Sequence, residues 1–342
     1  MISMIYIERE IALHPRTQKI CAQFPKAQHV LIDRYTEVFN PKNQNFRAQK
    51  ENPALILAYK HEHHVLAVPE SYGLGASAHY YFSHLLNCPY DCRYCFLQGM
   101  YSSAHYVFFV NLEDFNEAIR AKIHQAPNQE QWFFSGYDSD SLAFEPVTCF
   151  AQTCIPLFEE YPNAYLELRT KSTQIRSLTH RMPLKNVIIA YSLNPDAIAK
   201  ALEHKAPSLE KRLQAMESLQ EHGWRLGLRF DPLIWHQDYQ HHYQTMIEMV
   251  FKRLRPEAIH SVTLGTFRLP KTFYKNIVRL YPKEALLSAG LEEYNSTITY
   301  EKNIETQMLH FCKQVIEHYI APEHLFQYSS SLTSLETSAA YA

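Results

Sequence analysis

The sequence predicts an α/β fold built on a parallel sheet that curls into an open or closed barrel, and three observations predict it. Six short apolar runs, at 79–86, 131–135, 164–170, 187–193, 225–231 and 259–265, have the length and character of strands buried on both faces. Segments with helical spacing lie between them, at 112–124, 145–161, 208–222 and 239–253. Strands alternating with helices form βαβ units, and about six of them fall short of a complete eight-stranded barrel.

The barrel portion is expected over 76–265, with α/β additions at either end. Residues 1–75 form an N-terminal extension: a strand at Ile5-Tyr-Ile-Glu8, a polar connector from Pro41 to Pro53, a strand within 54–60 and a turn-rich stretch at 71–77. Residues 266–328 form a C-terminal α/β portion, and the Ser/Thr-rich 329–342 reads as a disordered tail.

Composition narrows the class. With 46% apolar and 20% charged residues in 342, the chain has enough apolar material for one large or two modest cores. No stretch approaches the roughly 20 apolar residues of a bilayer span. The N-terminus lacks a basic region followed by an apolar one. A cytoplasmic location and no membrane partner are therefore expected. The net charge of −2 gives no general attraction to nucleic acid, so DNA binding would need a local basic patch. Two stretches offer one: Arg169, Lys171, Arg176 and Arg181, then Arg268, Lys271, Lys275, Arg279 and Lys283. Ordinary solvated faces would look the same. Only 8 glycines are present and neither GxGxxG nor a P-loop occurs, which removes the commonest phosphate-binding loops. Cysteines number 7, an odd count that does not suit a secreted disulfide framework. Cys21, Cys149, Cys154 and Cys312 read as small buried hydrophobes.

The remaining three carry the chemistry. Cys88-Pro-Tyr-Asp-Cys92-Arg-Tyr-Cys95 places three thiols within one short loop directly after an apolar strand. Thiolates suit iron–sulfur clusters or zinc. Structural zinc takes four ligands, usually as two separated pairs, and no second pair exists here. A four-iron cluster held by three cysteines leaves one iron open to a small molecule.

The spacing, with aromatic Tyr94 before the last cysteine, resembles the CxxxCxΦC motif of the radical S-adenosylmethionine superfamily. That resemblance implies a partial (β/α)6 barrel with the cysteine loop after its first strand. It implies a [4Fe–4S] cluster on Cys88, Cys92 and Cys95. It also implies S-adenosyl-L-methionine as the molecule that the open iron chelates and one electron cleaves to a 5′-deoxyadenosyl radical. Within the superfamily, Cys92-Arg-Tyr-Cys-Phe-Leu-Gln98 resembles the corresponding run of the spore photoproduct lyase family. Ile5–Glu8, Thr170-Lys171, Tyr191-Ser-Leu-Asn194 and Phe267-Arg268 resemble further elements of that family.

The family resemblance implies repair of a methylene-bridged thymine dimer in UV-damaged DNA, with an external one-electron reductant such as flavodoxin or ferredoxin. It assigns Tyr94, Ser139, Lys171 and Ser192 to the cofactor, Asp140 and Arg268 to the lesion, and Tyr94 to radical transfer. Phe134-Ser135-Gly136 stands where the superfamily offers backbone to the methionyl amine, without the usual Gly-Gly-Glu. Two departures stand beside the matches. The family's hydrogen-returning cysteine is replaced within Ser135-Gly-Tyr-Asp-Ser-Asp140, which makes Tyr137 a candidate donor, with Cys149 and Cys154 as thiol alternatives. The second relay tyrosine is Phe96, whose ring has no O–H to give up. The family's basic C-terminal hairpin corresponds to Leu287–Asn295, which has two glutamates and no basic residue. A related radical enzyme with another substrate, and a non-catalytic iron–sulfur or zinc protein, are the alternative readings.

Overall fold

Each of the six apolar runs yields a strand in the computed structural model, which describes residues 2–68, 74, 78–288 and 290–328. Five begin and end within about two residues of the expected bounds: Gln131–Ser135, Ala164–Thr170, Val187–Ser192, Arg225–Leu233 and Ile259–Thr266. The sixth run, 79–86, divides. Ala78–Phe82 pairs parallel with Gln131–Ser135, whereas Leu85–Leu86 turns away and pairs antiparallel with Tyr106–Phe109 in another sheet. An unbroken apolar run cannot show that its two ends serve different sheets. The turn-rich 71–77 and the tail 329–342 lie almost wholly outside the described residues.

Two compact units divide the chain. Among the described residues the first comprises 2–68, 78–89 and 101–188, and the second 74, 90–100, 189–288 and 290–328. The segment boundaries read from the sequence describe chain order and stay a proposal beside this division.

The first unit holds a sheet in the order Gln28–Ile32, Met4–Glu8, Leu55–Ala58, Tyr106–Phe109, Leu85–Leu86, parallel except at the last strand. A second set pairs Ala164–Thr170, Gln131–Ser135 and Ala78–Phe82 in parallel, with Leu66–Ala67 antiparallel at its edge. The helix Leu112–Gln125 buries Leu112, Phe115, Ile119 and Ile123, one apolar stripe at helical spacing. Two expectations are corrected here. The 145–161 segment is not one helix but three short ones, Glu145–Thr148, Phe150–Cys154 and Leu157–Glu160. Cys149 breaks it in the left-handed region (φ 50°), and Pro156 caps the last piece. The 41–53 connector contains a helix, Phe46–Glu51, capped by Asn45 Oδ1, which accepts from Ala48 N at 3.0 Å.

The second unit sets Arg225–Leu233, Ile259–Thr266 and Leu325–Tyr328 side by side in parallel. The last of these was not counted from the sequence. Leu226, Leu228, Phe230, Val262 and Leu264 are fully enclosed, each contributing about 1.5–3 kcal/mol by leaving water. Helices Leu209–Glu221, Tyr239–Arg253 and Lys302–Ile316 belong to this unit. So does a small antiparallel sheet in the order Arg268–Pro270, Thr297–Tyr300, Leu291–Tyr294. Among the described residues no helix is long and apolar enough to cross a membrane.

Candidate active site

The cysteine segment is held from its flanks. Before it, Asn87 takes a left-handed backbone (φ 64°), and its Nδ2 donates to the carbonyls of Ser103 (2.7 Å) and His105 (2.8 Å). Lys50 Nζ donates to the Cys88 carbonyl at 3.2 Å. Asp91–Cys92 pairs antiparallel with Glu203–His204, Cys92 opposite Glu203. Cys95 N donates to Cys92 O at 3.1 Å, closing a turn that leads into the helix Leu97–Met100. That helix lies on Lys271–Leu280 at Gly99, where a Cβ would come within 2.3 Å of the Phe273 carbonyl oxygen. Asn276 Nδ2 donates to Gly99 O (2.9 Å), Tyr281 O–H donates to Gln98 Oε1 (3.0 Å), and the Arg93 guanidinium sits 4.0 Å over the Tyr281 ring.

Of the three cysteines, none of which forms a disulfide, Cys92 is buried and Cys88 and Cys95 are part-exposed. Among the described residues no three His, Cys, Asp or Glu side chains converge as ligands of one ion would. A four-iron cluster asks for a different arrangement, because each thiolate takes its own iron. An all-sulfur donor set on a short, anchored loop fits that group.

Tyr94 lies between two of the cysteines in sequence and is 6% exposed. Its O–H donates to Glu203 Oε1, and Asn194 Nδ2 donates to both the Tyr94 oxygen (3.3 Å) and Glu203 Oε1 (3.1 Å). Burial, then the charges of Glu203 and Cys92, push the phenol well above the ordinary tyrosine range, so it stays protonated. Asn194 Oδ1 accepts from Tyr243 O–H (3.0 Å), and the Tyr243 oxygen accepts from Ile234 N (2.7 Å). Ser192 ends its strand buried, and its carbonyl accepts from Arg212 Nη1 at 3.0 Å.

In the first unit, the loop after Gln131–Ser135 brings Asp140 and Lys171 together. Asp140 Oδ1 accepts from Leu142 N (3.0 Å), Ala143 N (2.9 Å) and Thr170 Oγ1 (2.6 Å), while Oδ2 accepts from Lys171 N (2.6 Å). Burial raises the Asp140 pKa, against the pull of those donors. Gly136 (φ 81°) packs so closely that a Cβ would lie 2.6 Å from Ser141 Oγ. Ser139 Oγ is enclosed and has no hydrogen-bond partner among the described residues, which leaves it available to a ligand's polar atom. Tyr137 is 47% exposed, its ring 4.7 Å from that of the buried Tyr81. Of the alternative donors, Cys154 is 3% exposed and burial drives its thiol far up, while Cys149 Sγ takes a contact from Lys19 Nζ at 3.8 Å.

Arg268 is engaged already: its Nη1 and Nη2 pair with Asp231 at 2.9 and 3.1 Å, and Nη1 also donates to Thr266 O at 2.9 Å. Lys271 pairs with Glu293 at 2.6 Å, whereas Lys275 and Arg279 are exposed on the same helix. The acidic stretch is a hairpin strand, Leu291–Tyr294, joined to Thr297–Tyr300 through Asn295 and Ser296, both left-handed as a tight hairpin turn requires. Asn87, Gly99, Glu203 and Arg212 were not singled out from the sequence.

The anchored thiol loop after Ala78–Phe82 and the parallel strands that follow have the arrangement of a radical S-adenosylmethionine enzyme, the class to which a family model matched over residues 2–322 assigns the chain. The match of the spore photoproduct lyase family model to residues 2–322 narrows this class, and the chain belongs to that family. A spore photoproduct lyase of Bacillus subtilis is 23% identical over 333 residues, 93% of this chain and 94% of its own length. One from a Geobacillus species is 23% identical over 213 residues, 61% of this chain and 62% of its own. A spore photoproduct lyase variant solved with bound AdoMet and dinucleoside spore photoproduct superposes with a TM-score of 0.83 at 18% identity, over 96% of this chain and 98% of that one. The fold is accordingly the partial parallel barrel with additions at both ends.

Proposed function

We propose that this chain is a radical S-adenosylmethionine lyase that reverses a methylene-bridged thymine dimer in UV-damaged DNA. The observation that carries the reading is the family match across 2–322, which includes all three cysteines. Cys88, Cys92 and Cys95 would hold a [4Fe–4S] cluster, which when loaded supplies the electron that cleaves S-adenosylmethionine to a 5′-deoxyadenosyl radical. Lys171 would pair with the carboxylate of that molecule, and Ser139 and Ser192 would bond its polar groups. Asp140, whose carboxylate is taken up by four donors, would act by fixing the Lys171 backbone. Arg268, locked on Asp231, would present a fixed guanidinium edge to the lesion. Tyr94 would keep its proton against Glu203, and Tyr137 would return hydrogen to the thymine. A flavodoxin or ferredoxin would supply the electron, in the cytoplasm.

Anaerobically reconstituted and reduced protein should release 5′-deoxyadenosine from S-adenosylmethionine and restore paired thymines from a dinucleotide carrying the lesion. Cys92→Ala should stop both. Cleavage with no repair would move the reading to a related enzyme with another substrate, and no cleavage would leave a non-catalytic iron–sulfur protein. The family match favours neither of these.

A further inference from the structure

Glu203 and Arg212 form an ion pair in which both side chains are fully buried. Neither belongs to the cysteine motif. Burying such a pair seldom stabilises a fold more than apolar side chains of the same volume would, so its position calls for a reason. Glu203 Oε2 meets Arg212 Nη2, while Glu203 Oε1 accepts from Tyr94 O–H and from Asn194 Nδ2. The Glu203 backbone stands opposite Cys92 in the short ladder, and Arg93 N donates to Leu202 O at 2.8 Å. Arg212 approaches from the helix Leu209–Glu221. Its Nη1 and Nε are fixed by the carbonyls of Ser192 (3.0 Å) and Pro207 (2.9 Å). Glu203 thus stands between the Cys92 strand and Tyr94 on one side, through its backbone and Oε1, and Arg212 on the other, through Oε2.

We infer that Glu203, with Arg212 as its counter-charge, is a positioning and potential-setting residue for the cluster loop. This rests on the radical S-adenosylmethionine reading above. The carboxylate orients Tyr94, and its charge opposes the addition of an electron to a cluster carried on the adjacent strand. Arg212, bonded to the other carboxylate oxygen, Oε2, offsets that charge only in part. Hydrogen bonding and nearby charge are among the levers by which a protein sets a cluster's potential.

The test is a redox titration, followed by electron paramagnetic resonance, of reconstituted wild type, Glu203→Gln and the double variant Glu203→Gln, Arg212→Met. Glu203→Gln leaves Arg212 without its counter-charge and should favour the reduced cluster at least tenfold, about 59 mV for one electron. The double variant removes both charges and should shift in the same direction by a smaller factor. It keeps the measurement available if the buried lone guanidinium prevents the single variant from folding. The order wild type, double, single in rising potential is the expected result. Equal potentials in wild type and the double variant overturn the inference, whereas loss of the cluster from a folded double variant supports the positioning role and overturns a role in potential alone. Failure of the wild type to take up any cluster would instead count against the enzymatic reading itself.

Discussion

Lys171 is held through its backbone by a neighbour. Asp140 holds its amide at 2.6 Å and braces its own loop, the one after Gln131–Ser135, through Leu142 N and Ala143 N. Lys171→Ala should weaken S-adenosylmethionine binding by about 10- to 100-fold, the loss of one charged hydrogen bond of roughly 1.5–3 kcal/mol. Equilibrium dialysis with loaded protein measures it, and unchanged affinity would remove Lys171 from the cofactor site. His84 carries a second expectation at this scale. It is 2% exposed, stacks on Phe150 at 3.6 Å, and burial lowers its pKa to about 3. Below the unfolded value near 6.5 the unfolded chain takes up a proton that the native ring does not. Stability should therefore fall as pH drops from about 6.5 toward 3, at up to about 1.4 kcal/mol per pH unit. His84→Leu should flatten that slope in urea titrations between pH 6 and 4; an unaltered slope would assign acid lability elsewhere.

Gly99 shows how much an element can rest on one missing side chain. Its Cβ would meet backbone, the Phe273 carbonyl oxygen, so the Leu97–Met100 helix cannot relieve the clash by a rotamer change. Gly99→Ala should cost about 1–3 kcal/mol by overpacking and lower the thermal midpoint together with iron content, read by calorimetry and iron assay. The helix Lys271–Leu280 also presents Lys275 and Arg279 to solvent. Replacing both with glutamine should reduce the salt slope of lesion-DNA binding by about two, and an unchanged slope would place the DNA on another surface. What the sequence made legible at this scale follows from burial. Strands such as Val187–Ser192, enclosed on both faces, announce themselves as continuous apolar runs. Cys149 in the left-handed region breaks the 145–161 segment with no signal of its own in the sequence, since it is neither Gly nor Asn, the residues that usually mark that conformation. In the candidate site the cysteines were legible because their spacing is local. Glu203 and Arg212 were not, since a pair joined across a helix and a ladder looks in sequence like two ordinary surface charges.

At the scale of the whole molecule, the question is how radical formation and hydrogen return are kept in step. Phe96 has no O–H, and its ring packs 6.5 Å from Phe273, so radical transfer through that position is closed. Tyr94 donates its proton inward to Glu203 and is 6% exposed, which suits an anchored residue more than a shuttle to solvent. Tyr137 differs from both: it is 47% exposed and leans on Tyr81. An exposed phenol exchanges its proton with solvent. Repair in deuterated water should therefore place solvent deuterium in the repaired thymine in wild type. Tyr137→Phe should slow repair about tenfold or more while leaving release of 5′-deoxyadenosine near the wild-type rate, so that cleavage runs ahead of repair. Mass spectrometry of the thymine product and the ratio of 5′-deoxyadenosine to repaired lesion measure this together. Deuterium incorporation and coupling that survive the substitution would take Tyr137 out of the reaction and leave hydrogen return to a group other than this phenol.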